Sequence, residues 1–329
     1  MLDKVLEIKN LKVYFETSDG VVKAVNDLNL SMEKGSTLGV VGETGAGKTT
    51  LAKAIMRLIS CPPGSVKSGE IYYMGQNLLQ LTELEMRDVR GKQISMIFQD
   101  PMTSLNPVIT VEKQIAEVIE NHAHISVAES IKKAHQMLEM VGIPAKRGGD
   151  YPYQFSGGMK QRVIIAIAMA CNPDLLLADE PTTALDVTIQ AQILDMIREL
   201  RDRNGTSVLL ITHDLGVVAQ NCDHVAIVYA GEIVEFGDVQ QIYKRTSHPY
   251  TVGLLGSVPK LNENVDRLKP IEGLMPDPTR LPKGCYFAPR CRQACDLCHR
   301  QHPAMREIEP GHLVRCHLTR PEENREADE

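Results

Sequence analysis

Long apolar runs are missing from this chain. The longest, Val163 to Cys171, falls far short of the roughly 20 residues that a helix needs to cross a bilayer. The N-terminus carries no apolar segment of the signal-peptide kind. The expected location is therefore the cytoplasm, and any membrane role needs a partner. Excess positive charge is also missing: the net charge is −6, which disfavours bulk binding to nucleic acid. Tryptophan is absent, and the apolar residues are mostly aliphatic, as in an ordinary soluble globular protein. There is no internal repeat. The length of 329 residues suits one large domain plus a smaller one. Cysteine is sparse until late. Cys61, Cys171 and Cys222 are scattered, whereas Cys285, Cys291, Cys295, Cys298 and Cys316 crowd into the last fifth. In a cytosolic protein such crowding points to a metal more than to disulfides.

What the chain does have is a phosphate loop. Leu38 to Val41 reads as a buried strand, Gly42-Glu43-Thr44-Gly45-Ala46-Gly47 as a loop with three glycines, and Lys48 onward as a helix. This is Gly-x-x-x-x-Gly-Lys-Thr in the setting that the motif requires. A triphosphate needs many donors at short range. Glycines let the backbone curl and aim its N–H groups inward, and the helix start adds unpaired N–H groups and partial positive charge. Lys48 is expected on the β- and γ-phosphates and Thr49 on Mg²⁺, with Thr50 beside it. A chance glycine turn would not also supply the flanking strand and helix.

Strands alternate with helices along most of the chain. Val5–Phe15, Leu28–Met32, Glu70–Tyr73, Ile94–Phe98, Leu175–Ala178 and Ser207–Ile211 read as strands, and Val225–Tyr229 with Glu232–Glu235 as a hairpin. The helix from Lys48 is expected to run to Cys61-Pro62-Pro63-Gly64. From Thr110 to Val141 the pattern is helical throughout, which suggests an inserted subdomain. A mainly parallel sheet with an antiparallel part follows. Beyond Lys244 prolines become frequent and periodicity fades. The last ten residues are polar and charged.

Leu175–Glu180 is an apolar strand ending in two acids. Such a strand delivers its C-terminal residues to the sheet edge where ligands bind. Asp179 is expected to hold Mg²⁺ through water, and Glu180 to orient the attacking water. The competing reading is an acidic cap for the next helix. Ser156-Gly157-Gly158 opens another helix and forms a second anion site. One nucleotide does not need two such loops from one chain, so each chain would complete a neighbour's site; a simple Ser-Gly-Gly cap is the alternative. His213 follows an apolar strand, where the strand tip would meet the nucleotide.

These segments, with Gln99 in Ile97-Phe98-Gln99-Asp100, Ala184-Leu185-Asp186 and Ile211-Thr212-His213-Asp214, stand in the order found in ATP-binding cassette (ABC) proteins. The chain resembles that family over roughly residues 5 to 245. The resemblance implies an α/β fold of P-loop NTPase type: a RecA-like core, an antiparallel β subdomain and an α-helical subdomain at about 85–160, together spanning 1–245. It implies a head-to-tail dimer with ATP sandwiched between subunits. Phe15, or its neighbour Tyr14, would stack on adenine. Gln99 would touch Mg²⁺ and sense the membrane partner. Ser156 and Gly158 would bind the γ-phosphate across the interface, Asp186 would lie at the dimer contact, and His213 would hold the γ-phosphate. Phe155 and Met159 depart from the family's usual Leu and Gln.

His248-Pro249-Tyr250-Thr251 and the segment Pro282–Cys291 resemble the C-terminal extension of dipeptide and oligopeptide importer ATPases, as do Phe98–Pro107 and Met159. That subgroup includes nickel and glutathione importers. The extension would cover residues 246–318, leaving 319–329 as a charged, disordered tail. The resemblance implies a [4Fe–4S] cluster held by Cys285, Cys291, Cys298 and Cys316, at spacings of x5, x6 and x17. Zinc is the rival, because Cys295-x-x-Cys298 is a zinc-like pair with His302 and His317 nearby. The implied partners are two membrane permease subunits, a second related ATPase or a second copy, and, indirectly, an extracytoplasmic solute-binding protein. The subunit would lie on the inner face of the membrane, with no nucleic-acid partner. Two other readings are a non-transport ABC ATPase and a metal- or redox-sensing regulatory ATPase. Long coiled coils or a second cassette would mark the former, and the chain has neither.

Overall fold

The computed structural model describes residues 3–100, 104–123, 125–183, 185–257 and 271–319. They form two compact units. The first takes the described residues of Met1–Leu6, Met32–Thr37 and Tyr73–Ile211, and the second those of Glu7–Ser31, Leu38–Tyr72 and Thr212–Glu329. The proposed charged tail lies outside the described residues from 320 onward, as do Ala184 and Pro101–Thr103.

The first unit is built on three parallel strands in the order Ile94–Ile97, Leu175–Asp179, Ser207–Thr212. Every residue of Leu175–Asp179 is buried, as expected for a parallel strand covered on both faces. Parallel pairing sets Asp179 opposite Ile211, so the acids emerge at the strand's C-terminal end. The helical insertion is present as Val111–Ala123 and Val127–Met140. Ser126 and Glu129 close a reciprocal capping box at the second helix. One face of each helix is buried, with Val111, Ile115, Ala134 and Leu138 fully inside. Gln114 pins the preceding loop to this subdomain. Its amide donates to the carbonyls of Asn106 and Ile109 and its carbonyl accepts from Asn106 N–H, all at 2.8–2.9 Å.

In the second unit the strand Thr37–Val41 pairs in parallel with His224–Tyr229. His224–Tyr229 turns into the antiparallel strand Glu232–Asp238, with a bulge between Ile233 and Glu235. A separate sheet places Lys4–Thr17 between Gly20–Glu33 and Gly64–Tyr73. The helix from Lys48 stops at Ile55, earlier than the Cys61–Gly64 segment suggested. Arg57 adopts φ 51°, Arg57 N–H donates to Ala54 O and Leu58 N–H to Lys53 O. This is a Schellman stop made without glycine.

The fading periodicity after Lys244 conceals real structure. Pro249–Gly256 is a helix, and Arg306–Glu309 with His312–Val314 is a hairpin. The hairpin joins the edge of Glu232–Asp238, pairing Glu235 with Val314 and Phe236 with Leu313. Strands of three or four residues carry too little alternation to be read. Helix and loop share one core with the nucleotide half. Val41, Tyr229, Tyr250 and Phe287 lie in a single buried cluster. Tyr229 meets Tyr250 at 4.6 Å and the Phe287 edge at 5.3 Å, a geometry worth about 0.5–1.5 kcal/mol per pair beyond burial.

Two histidine–carboxylate clamps hold this hairpin side. His312 is fully buried between Glu235 at 2.8 Å and Glu309 at 2.9 Å. His302 meets Glu232 at 2.8 Å, with Arg315 3.7 Å from the same carboxylate. Arg245 also pairs with Glu309, and the backbone N–H groups of Ser247 and His248 donate to Glu235. Burial lowers the pKa of both clamp histidines, but their carboxylates outweigh it, and the net shift is upward. His248, by contrast, is pushed down to about 4 by burial and stays neutral. A raised histidine stabilises the fold fully below its unfolded pKa of about 6.5, and that contribution is lost as pH rises through the folded value. Thermal melts should therefore show higher stability at about pH 6 than at about pH 8.5. His312→Gln should cost about 3–5 kcal/mol at the lower pH and flatten the slope. A slope unchanged in the variant would rule out His312 as its source.

Candidate functional site

The loop Gly42–Gly47 leads from the strand Thr37–Val41 into the helix Lys48–Ile55. Its end glycines are required by close approach. A Cβ on Gly42 would sit 2.2 Å from Val228 O, and one on Gly47 would sit 2.2 Å from Ala24 O, with φ already at 101°. Only glycine lets the backbone coil this tightly against its neighbours. Ala46 is buried, its N–H donating to Glu43 O at 3.1 Å. Lys48 is buried and folds over the loop, its ammonium donating to Gly42 O at 2.7 Å and Glu43 O at 3.0 Å. Thr49 and Thr50 follow in the first helical turn, half-buried. Phe15 is half-buried, lying against Gly64, where an added Cβ would meet its ring at 2.7 Å. His213 stands exposed after the strand Ser207–Thr212, just before Asp214, which caps the helix Leu215–Asn221.

Of the two catalytic candidates, Glu180 lies in the first unit with Asp179 and Gln99, whereas His213 belongs to the second. Asp179 ends its strand fully buried. Glu180 follows in the left-handed region at φ 48°, costly for a non-glycine residue and frequent at functional sites. Its amide donates to Ile211 O at 2.9 Å. Its Oε2 accepts from Gln99 Nε2 at 3.0 Å and from Thr183 Oγ1 at 2.9 Å. Gln99 and Glu180, far apart in sequence, thus share one exposed site. The cap reading of Glu180 does not hold: the next helix, Val187–Asn204, is capped by Asp186, which accepts from Ile189 N–H at 2.9 Å.

Ser156 caps the helix Gly157–Met169, accepting from Met159 N–H. Ser156 and Gly157 are exposed and Gly158 half-buried, so the cap faces outward. Gly158 is tight against Ile189, 2.9 Å from where a Cβ would stand. The Phe155 and Met159 departures have a common partner. Arg147 stacks 4.5 Å over the Phe155 ring and approaches Met159 Sδ at 3.9 Å, while pairing with Asp150 at 2.6 Å. Sequence reading missed Arg147. It also missed Gln161, buried and donating to Pro181 O next to the two acids. A polar residue on a core-facing helix position was the available signal.

The late cysteines lie in one neighbourhood. Cys285 N–H donates to Cys298 O at 2.8 Å, and Cys295 Sγ is 3.5 Å from Cys298 Sγ. Burial pushes Cys285 up to about 11 and raises Cys291, Cys298 and Cys316. Nearby thiols add to each of these rises, linking Cys298 with Cys285, Cys291 and Cys316. Among the described residues, however, no three His, Cys, Asp or Glu side chains form a group able to hold a metal ion. The histidines invoked for zinc are turned elsewhere. His302 contacts Glu232 and Gly284 O through its two nitrogens, and His317 contacts Gln301 O. Thiols grouped but not converged fit a cluster in donor type and not in arrangement.

Residues 25–183 match the family described as ABC transporter, and residues 234–298 match the one described as oligopeptide/dipeptide transporter, C-terminal region. The chain is 50% identical over 322 residues to the oligopeptide transport ATP-binding protein OppD of Bacillus subtilis (strain 168), covering 97% of this chain and 90% of that one. It is 47% identical over 319 residues to the dipeptide transport ATP-binding protein DppD of the same organism, covering 96% and 95%. Among solved structures, the ATP-binding cassette MJ0796, dimeric in a post-hydrolysis state with ADP and Pi, is similar at TM-score 0.64 and 27% identity. That match covers 71% of this chain and 98% of the other.

Proposed function

The chain belongs to the ABC transporter family of ATP-binding proteins, and from that premise we propose that it is the ATP-hydrolysing subunit of an importer for di- or oligopeptides. One observation carries the peptide class: the likeness to the OppD and DppD proteins runs through both the cassette and the extension, at 97% and 96% of this chain. The assigned domains are the cassette at 1–245, with its helical subdomain at about 85–160, and the extension at 246–318.

In this reading Lys48 releases the carbonyls of Gly42 and Glu43 to take the β- and γ-phosphates. The loop N–H groups from Gly42 to Gly47 cradle the rest. Thr49, Gln99 and Asp179 offer only oxygen donors, which suits Mg²⁺. Bound there, the ion would spread the charge that develops on the phosphoryl group. Glu180 orients the attacking water, and Gln99 ties that carboxylate to the loop toward the permeases. His213 holds the γ-phosphate and Phe15 the adenine. Ser156 and Gly158 complete the site of the opposing subunit, which the MJ0796 dimer supports as a mode of assembly, and Asp186 lies at that contact. Phe98, Val108 and Tyr153 of the first unit are exposed apolar side chains and are the proposed contacts to the permeases. Among the described residues no helix is long and apolar enough to cross a membrane; in this reading the permeases hold the subunit at the inner face.

Cys285, Cys291, Cys298 and Cys316 are the proposed ligands of a [4Fe–4S] cluster, supported by their shared neighbourhood and thiol chemistry. One anaerobic purification from membranes tests both proposals. The expected result is a brown full-length chain, absorbing near roughly 400 nm, with permease subunits attached. Colourless protein with stoichiometric zinc would replace the cluster, and co-purification with ribosomes or DNA would overturn the transport role.

A further inference from the structure

An acid stands in a loop built to receive an anion. Glu43, directly after Gly42, is gripped at three points. Its N–H donates to the Tyr250 hydroxyl at 3.1 Å, its carbonyl accepts from Lys48 Nζ at 3.0 Å, and its carboxylate accepts from Arg290 at 2.9 Å. Two of these partners, Tyr250 and Arg290, come from beyond residue 245. Arg290 is 6% exposed and Glu43 28%, so the pair is largely withdrawn from water. The guanidinium is itself held, donating to Glu272 O at 3.0 Å and to Ile271 O and Tyr229 OH at 3.4 Å. Met275 of the same region touches the loop as well, 3.3 Å from where a Cβ on Gly45 would stand.

We propose that Arg290 is a positioning residue of the phosphate site: it neutralises Glu43 beside the incoming triphosphate and fixes the loop backbone, so that the extension sets nucleotide affinity. This rests on residues 42–49 being the ATP loop. The physical case is one of sign. An unpaired carboxylate in the loop repels the phosphates, and at the low effective dielectric of a half-buried site that repulsion is weakly screened. Removing the arginine alone strands the acid, whereas removing both charges does not.

The test is binding of a fluorescent ATP analogue to the full-length chain. Arg290→Gln should weaken binding about tenfold, or ~1.4 kcal/mol. The double variant carrying Arg290→Gln with Glu43→Gln should recover to within about threefold of wild type. Recovery is what a merely structural arginine would not give. An unchanged Arg290→Gln, or a double variant as weak as the single, overturns the proposal. Should Arg290→Gln not fold, the double variant, which strands neither charge, keeps the test: it is expected within about threefold of wild type, and a tenfold loss there overturns the proposal equally. Lys48→Ala run alongside separates the two ideas, because normal binding by that variant would mean that the loop assignment, not the role of Arg290, has failed.

Discussion

Glu180→Gln is expected to bind ATP normally and to lose about 10²–10⁴-fold in turnover. The side chain keeps its size, and Gln99 Nε2 and Thr183 Oγ1 can still donate to its remaining oxygen, as both now do to Oε2. The backbone at φ 48° is equally accessible to glutamine. What disappears is the negative charge that aligns and polarises water. Single-turnover phosphate release, read beside equilibrium binding, separates these effects. Wild-type turnover would remove Glu180 from the proposed chemistry.

Lys48→Ala is expected to weaken ATP binding by about 10–100-fold, the worth of one or two charge-assisted hydrogen bonds. The ammonium is buried and spans two loop carbonyls at 2.7 and 3.0 Å. In that pose it keeps the loop in shape before nucleotide arrives. Alanine removes both the phosphate ligand and this internal strut. Isothermal titration with ATP and Mg²⁺ measures the loss, and circular dichroism checks that the fold survives. Unchanged affinity would be incompatible with phosphate contact by Lys48. The effect should exceed that of Arg290→Gln, because Lys48 meets the phosphate itself and Arg290 acts through Glu43.

Much of the candidate site's local structure was legible in advance because its chemistry is local. Gly42 to Thr49 lie in one short stretch, although the contacts that require glycine at Gly42 and Gly47 come from the distant Val228 and Ala24. Asp179 and Glu180 could be placed at a strand end because an apolar run of that length has few other fates in an α/β chain. Helix ends were less legible. The stop after Ile55 depends on Arg57 taking a left-handed conformation that its side chain does not advertise. The hairpin Arg306–Val314 was invisible for a different reason: its register is set by Glu232–Asp238, far away in sequence. Arg290 was noticed only as one letter among the cysteines. Its importance comes from Glu43, and nothing in either local stretch announces the other.

The division follows from the range of the forces involved. Glycine tolerance, strand burial and helix capping act over a few residues, so the phosphate loop, the paired acids, the Ser156 cap and the two helices of the insertion were written in the chain itself. Ion pairs and side-chain bonds between distant segments exist only once the backbone has folded. Gln99 on Glu180, Arg290 on Glu43 and His312 on Glu235 were therefore decided by tertiary structure alone, which brings together groups that hundreds of ångströms of extended chain would keep apart.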